Sequence, residues 1–392
     1  MDPLQAIVQL AESGTPPDAE LALRMSVGLG EAIAQAERET LPFVAAGGAS
    51  LQFIDAPYGR GKTHFLKALQ QAAIQAGFVT AYVDCGDSHS PFQSLDTTYR
   101  SIAAAMQAPN GDRKHLSRGV AGVIEASFGK RGNGELKEIN ARLRNSADLA
   151  PDYRNVALAY ASEVASSSPR DGLVEDLRAL LLASLTYKQS MGRLYTTHRH
   201  LPRPMGKLMK RNAGVWLRSL FCLPETLGYP GLVVLFDETE PSVSGLSLRK
   251  RLQHLAHLRT FVDHMAVGAF RGCAVYCTVV GDFSEFAGQY LGALQQRIER
   301  VRVPRLRTKP NPRAVSVALD ELTSPGPGSP EFYLALGAKI VELGREAGLP
   351  AAEVQRIRAV LRKHAEKQAV SIRDGAVREF VKRAAGEVVQ RI

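Results

Sequence analysis

The stretch Ala56-Pro57-Tyr58-Gly59-Arg60-Gly61-Lys62-Thr63 constrains this chain more than any other. It follows a segment of strand character, Leu51–Asp55, and precedes a helical segment from Thr63 to Ala76 that Gly77 closes. Phe78–Val83 is a second strand, so strand, loop, helix and strand follow one another as a βαβ unit with a parallel sheet. A loop in that place ending in Gly-Lys-Thr is built to bind phosphate. The loop that Pro57 opens surrounds the anion with the backbone N–H groups of Tyr58, Gly59 and Arg60 and of the helix N-terminus as far as His64. Lys62 sets a positive charge between β- and γ-phosphates, and the Thr63 hydroxyl ligates Mg²⁺. Gly61 lets the backbone approach the anion closely. Ala56 stands where the pattern has Gly. If positive φ is needed there, Ala costs on the order of 1 kcal/mol; otherwise the change is nearly silent.

The second half of such a site is Gly231-Leu-Val-Val-Leu-Phe-Asp237-Glu238. Five apolar residues make a buried strand, and two carboxylates emerge at its C-terminal end, where α/β sheets bind ligands. Asp237 is expected to hold Mg²⁺ through its water shell and Glu238 to polarise an attacking water. Thr278 and Asp282, at the end of the apolar strand Cys273–Val280, compete as sensors of the γ-phosphate. Arg297 and Arg300 are candidates for an arginine finger that completes a neighbouring subunit's site, and Arg373 for a cation reaching nucleotide from a C-terminal lid. Thr308-Lys309-Pro310-Asn311 ends in Asn where a guanine-reading motif has Asp, which favours ATP over GTP.

The 392 residues provide for two or three compact units. Nearly 150 residues separate the second strand from Leu232–Phe236, far more than sheet connections normally take. That interval reads as helices over about 95–107, 116–128, 136–144, 153–166, 172–185 and 205–221, an inserted helical block. Val301–Val303 is a further strand, and from Pro310 onward the pattern is helical. The expected fold is α/β: a P-loop NTPase core with a parallel five-stranded sheet, a large helical insertion and a C-terminal helical lid. Its divisions are an N-terminal helical segment (1–45), the first part of the core (46–108), the insertion (109–225), the second part of the core (226–308) and the lid (309–392).

No apolar run reaches the roughly 18–20 residues that span a bilayer, and no basic region precedes an apolar stretch at the N-terminus. The chain therefore reads as cytoplasmic, with no membrane partner. Its four cysteines, at 85, 222, 273 and 277, have no zinc spacing and read as buried reduced thiols. Net charge is +10, and it is concentrated. From Lys188 to Arg218 there are eight Lys/Arg and no acid, and Ala351–Ile392 carries ten Lys/Arg against five acids. The first block is expected to meet the phosphates of double-stranded DNA through Arg193, Arg199, Arg203, Lys207, Lys210 and Arg211, on an insertion that projects from the core. Tyr195 and Trp216 are either core residues or base-stacking ones.

The segment from Phe53 to Leu66, with Tyr58 inside the loop and His64-Phe65-Leu66 after it, resembles the P-loop of ATP-binding proteins of BREX-type bacteriophage-defence systems. The likeness continues through Ser90-Pro91, Leu95, Tyr99-Arg100, Gly228–Leu232, Asp237-Glu238-Thr239-Glu240 and Arg373. It implies an AAA+ ATPase close to origin-recognition and loader ATPases, with a sheet of order 5-1-4-3-2. It also implies a homo-oligomer in which Arg297 or Arg300 completes a neighbour's site, and protein partners from the same defence operon. Three readings stay open: an ATP-hydrolysing, DNA-associated factor of phage defence; a regulatory signalling ATPase that controls a protein partner without touching nucleic acid; and a subunit that uses ATP only to fold or oligomerise.

Overall fold

The computed structural model describes residues 2–86, 91–109, 118–128, 133–166, 172–184, 203–239, 247–279, 292–295, 316–319, 323–369 and 375–392, with a few single positions between them. Helix α1 (Pro3–Ser13) is bounded by local chemistry: Asp2 accepts from Gln5 N, Pro3 stands where no donor is needed, and Gly14 closes the helix at φ 70°. Helices α2 (Ala19–Met25) and α3 (Gly30–Gln35), a π-helical turn (Ala36–Thr40) and α4 (Leu41–Ala45) lead into β1 (Ala49–Asp55). The βαβ unit follows as α5 (Lys62–Gln75) and β2 (Val79–Asp84).

The inserted block is α6 (Leu95–Ala105), a two-residue strand β3 (Met106–Gln107), then α7 (Gly119–Phe128), α8 (Asn133–Asn145), α9 (Pro151–Val164), α10 (Leu173–Leu181) and α11 (Ala213–Thr226). Strand β4 (Leu232–Asp237), α12 (Leu248–Ala266), β5 (Cys273–Val279) and β6 (Ser316–Ala318) complete the sheet. Three helices end the chain: α13 (Pro330–Glu346), α14 (Ala351–Ala369) and α15 (Ala376–Val389).

The sheet order is β3-β2-β4-β5-β1-β6. Among the described strands only β3 is antiparallel; the five parallel ones, numbered among themselves, give the expected 5-1-4-3-2. Two corrections apply. The edge strand beside β1 is Ser316–Ala318, inside the stretch expected to be helical, whereas Val301–Val303 lies outside the described residues. A three-residue strand is too short to show a period of two, and pairing with Phe53–Asp55 selects it. The second correction concerns the insertion. Its helices do not project: Val120, Ile124, Tyr153, Leu177 and Trp216 share one buried cluster with Phe53, Val79, Phe236 and Val275 of the sheet. They bury that face of the sheet, which would otherwise expose apolar side chains to water.

The opposite face carries Ile54, Val233, Leu235, Ala274 and Tyr276 under Phe65, Leu66, Leu69 and Ala72 of α5. Strand β4 is buried at all six positions, as expected of a strand covered on both faces. A third cluster joins the two ends of the chain: Ala6, Ile7 and Leu10 of α1 and Met25 pack with Tyr333, Leu336 and Ile340 of α13 and Phe380 and Ala384 of α15. Among the described residues no helix is long and apolar enough to cross a membrane.

Candidate functional site

The loop between β1 and α5 turns through Gly59 at φ 74° and Gly61 at φ 93°. Gly61 is the N-terminal cap of α5, and a Cβ there would meet nothing within 4 Å, so its requirement is the left-handed backbone rather than space. Ala56 is buried and does not adopt positive φ, so its departure from Gly carries no backbone cost. Its carbonyl accepts a 2.7 Å hydrogen bond from Lys62 Nζ, which also lies 5.1 Å from the centre of the exposed Tyr58 ring. Arg60 faces α13, where its charge bears on Tyr333.

Across the sheet, alternation along each strand puts Tyr82, Asp237 and Thr278 on the α5 face at the C-terminal ends of β2, β4 and β5. They join in a row. The Tyr82 hydroxyl donates to Asp237 Oδ2 at 2.7 Å, and the Thr278 hydroxyl donates to Asp237 Oδ1 at 2.6 Å. Thr278 Oγ1 in turn accepts from Glu238 N at 2.9 Å. Asp237 and Thr278 are buried, whereas the Glu238 side chain is exposed. Glu238 stands at φ 55°, one of two non-glycine residues with positive φ among those described. Asp84 pairs in register with Asp237 on the neighbouring strand, and its Oδ1 accepts from Gly86 N.

The loop and the strand ends open on one cavity of about 310 Å³. Tyr58 to His64, Asp237 and Glu238 form its polar side. Met25, Val27, Leu29, Leu319, Phe332 and Leu336 form an apolar wall drawn from the N-terminal segment and the C-terminal helices. The two sides are tied together: His64 Nε2 lies 3.0 Å from Ser26 Oγ, and Lys67 Nζ donates to Pro16 O at 2.9 Å. Ser26 gives its own proton to Ala22 O, so His64 is the donor in that pair. Burial, with Lys67 and Lys339 nearby, lowers the His64 pKa to about 4, so at neutral pH this residue offers a hydrogen bond and no charge. Burial also lowers the Lys67 pKa, opposed by Asp237, Asp18 and Asp84.

Arg378, in the first turn of α15, lines the cavity, a residue the sequence does not single out. A Cβ on Gly14 would sit 2.5 Å from Arg378 Cγ and 2.7 Å from its carbonyl oxygen, so this left-handed glycine seats the arginine stem. Thr278 meets Asp237 and the Glu238 amide. Asp282, Arg297, Arg300 and Arg373, with Arg193, Arg199 and Tyr195, lie outside the described residues. Of the basic block, Arg203, Lys210 and Arg211 are exposed and Lys207 half-buried, over Leu194, Met205 and Leu208 in the core. Trp216 is core: fully buried, it donates from Nε1 to Asp152 Oδ2 at 3.0 Å and meets Tyr99 and Tyr153 edge-on. All four cysteines are free and buried, and no group of metal-holding His, Cys, Asp and Glu occurs among the described residues. Tyr82, Lys67, Ser26 and Arg378 are the members of this site that the sequence reading misses. For Tyr82 a signal exists: two positions before Asp84 on an alternating strand, it must share that residue's face.

Fold and cavity together define a mixed α/β protein in which the β1–α5 loop and the ends of the central strands line one cavity. The chain belongs to the family described as BREX system ATP-binding protein BrxC/D, whose model matches residues 3–125 and 204–391. The unmatched stretch between them contains α8, α9 and α10. No curated protein and no solved structure matches the chain.

Proposed function

We propose that this ATP-binding protein of phage defence is a P-loop ATPase of AAA+ type that hydrolyses ATP in the cavity between sheet and C-terminal helices. The observation that carries the reading is the meeting of the Lys62 loop with Asp237 and Glu238 in that one cavity. On arrival of nucleotide, Lys62 exchanges the Ala56 carbonyl for β- and γ-phosphate oxygens. The N-terminal amides of α5 take the remaining charge. Glu238 accepts a proton from water as its oxygen bonds to the γ-phosphorus and the bond to the bridging oxygen breaks. The apolar wall accommodates the base. Arg378, rather than Arg373 alone, is positioned to follow the phosphates from the lid.

The hydroxyl of Thr63 and the carboxylate of Asp237 are hard oxygen donors on the same cavity, the set that suits Mg²⁺. Bound there, Mg²⁺ would neutralise charge on the phosphates. Beyond the site, the reading extends to a homo-oligomer in which Arg297 or Arg300 reaches a neighbour's nucleotide, to double-stranded DNA along 203–211, and to proteins of the same operon. The direct test is ATP turnover by the full chain with and without double-stranded DNA, with the assembly's mass measured in ATP. Lys62→Ala should lose nucleotide affinity and turnover, and Glu238→Gln should retain ATP unhydrolysed. Undiminished turnover in both would sink the site assignment. Turnover indifferent to DNA, with no DNA binding, would favour a regulatory ATPase acting on a protein partner.

A further inference from the structure

We infer that Tyr82 is a positioning residue for metal-dependent nucleotide binding: with Thr278 it fixes the Asp237 carboxylate in the orientation that presents it to the metal. The inference rests on the proposed ATP site. A carboxylate has about four lone-pair sites. Two of those on Asp237 are taken by protein hydroxyls, one on each oxygen, from the strands on either side. Oδ1 also accepts from Glu238 N at 3.2 Å, so the carboxylate has no free rotation, and the lone pair left on Oδ2 is the one available to the cavity that Asp237 lines.

The directions of these bonds are determined. A carboxylate only accepts, so Tyr82 and Thr278 must both donate; Thr278, its proton spent, must accept from Glu238 N–H. Such O–H bonds to an ionised oxygen are roughly twice as strong as neutral ones. The nearby Lys67 is already committed to Pro16 O. Tyr82 faces Leu235 in register, and only a long side chain from that position reaches Asp237 two residues farther on.

The experiment measures a fluorescent ADP analogue in EDTA and then across a Mg²⁺ titration, with thermal unfolding recorded beside it. Wild-type affinity should rise with Mg²⁺. Tyr82→Phe should bind as wild type in EDTA but need about tenfold more Mg²⁺, the usual scale for loss of a group that orients a metal ligand. Thr278→Val should behave likewise, and Thr278→Ser should restore the wild-type midpoint. Should Tyr82→Phe fail to fold, Tyr82→His, a shorter donor, is titrated instead and should show the same raised midpoint. A wild type indifferent to Mg²⁺ would overturn the Mg²⁺–ATP reading itself. A wild type that responds while the Tyr82 variant keeps its midpoint would overturn the role of Tyr82 alone. Parallel loss of metal-free binding and of unfolding temperature would do so too, by reducing Tyr82 to a structural contact.

Discussion

Thr278 and Asp237, neighbours across β5 and β4, share a 2.6 Å hydrogen bond that fixes more than the carboxylate. The same hydroxyl holds the Glu238 amide at 2.9 Å, and the next amide, Thr239 N, donates to the Thr278 carbonyl at 2.9 Å. The chain thus leaves β4 clamped to β5 on both sides of Glu238, with φ at 55°. An exposed acid is held in a conformation that side chains avoid, at the mouth of the cavity. Strain that the surroundings enforce at such a place goes with function.

That strain can be measured. Glycine takes left-handed φ without penalty, whereas other residues lose roughly 1–2 kcal/mol. Glu238→Gly should therefore be more stable than Glu238→Ala by about 1 kcal/mol in urea unfolding, and at least as stable as wild type. Both variants should lose turnover by about a hundredfold or more, since each removes the carboxylate proposed as the proton acceptor. Equal stability of the two variants would show that the backbone at 238 bears no strain.

A second expectation concerns pH. His254 of α12 is buried, and its pKa is lowered to about 4 by that burial, with the Thr239 backbone opposing and His257 assisting. Its folded pKa lies below the unfolded value near 6.5, so the unfolded chain takes up the proton first. The stability it supplies is complete above pH 6.5 and is lost as pH falls toward 4, at up to about 1.4 kcal/mol per pH unit. His254→Gln should flatten the urea-unfolding free energy against pH over that window by this amount. An unchanged slope would exclude His254 as its source.

The glycine turn between β1 and α5, the acids after β4 and most inserted helices are legible because each depends on near neighbours in sequence: a strand, a glycine turn, an apolar run. The role of Tyr82 is not: alternation gives its face, but the carboxylate it meets comes 155 residues later. Neither is α12: Ser247 stands at its N-cap but makes no side-chain cap hydrogen bond, and Arg249, Lys250 and Arg251 in its first turn oppose the helix dipole. Arg378 is not singled out either: the basic C-terminal stretch is plain, but that this arginine faces the cavity depends on where Gly375 starts α15. The packing of α1 on α13 and α15 joins the two ends of the chain, and no local pattern announces it.

That joint provides the next prediction. Gly14 closes α1 in left-handed backbone, and any Cβ there collides with backbone and stem of Arg378. Gly14→Ala should cost about 1 kcal/mol for φ alone and more for the displaced helix. It should also weaken nucleotide binding, although residue 14 offers no side chain to a ligand, because α15 and Arg378 must move. Arg378→Ala should lower nucleotide affinity without that loss of stability. Matching losses of stability in the two variants would place the effect in the arginine's packing rather than in its charge.

The last prediction is that Lys207, Lys210 and Arg211 meet nucleic-acid phosphates. The three lie at the turn entering α11, above Met205 and Leu208, whose burial fixes the backbone beneath them. Trp216 is committed to the core and Tyr195 lies outside the described residues, so among the described residues this surface offers charge without base stacking, and binding should be indifferent to sequence. Replacing all three with Ala should weaken binding of a fluorescent duplex. Each lost contact should flatten the slope of log K against log salt by roughly 0.9. Because 126–203 falls outside the family match while 204–391 falls within it, 207–211 belongs to the shared part of the chain. A folded triple variant with unchanged affinity and slope would remove DNA from the proposed function and leave a protein partner as the target of the ATPase.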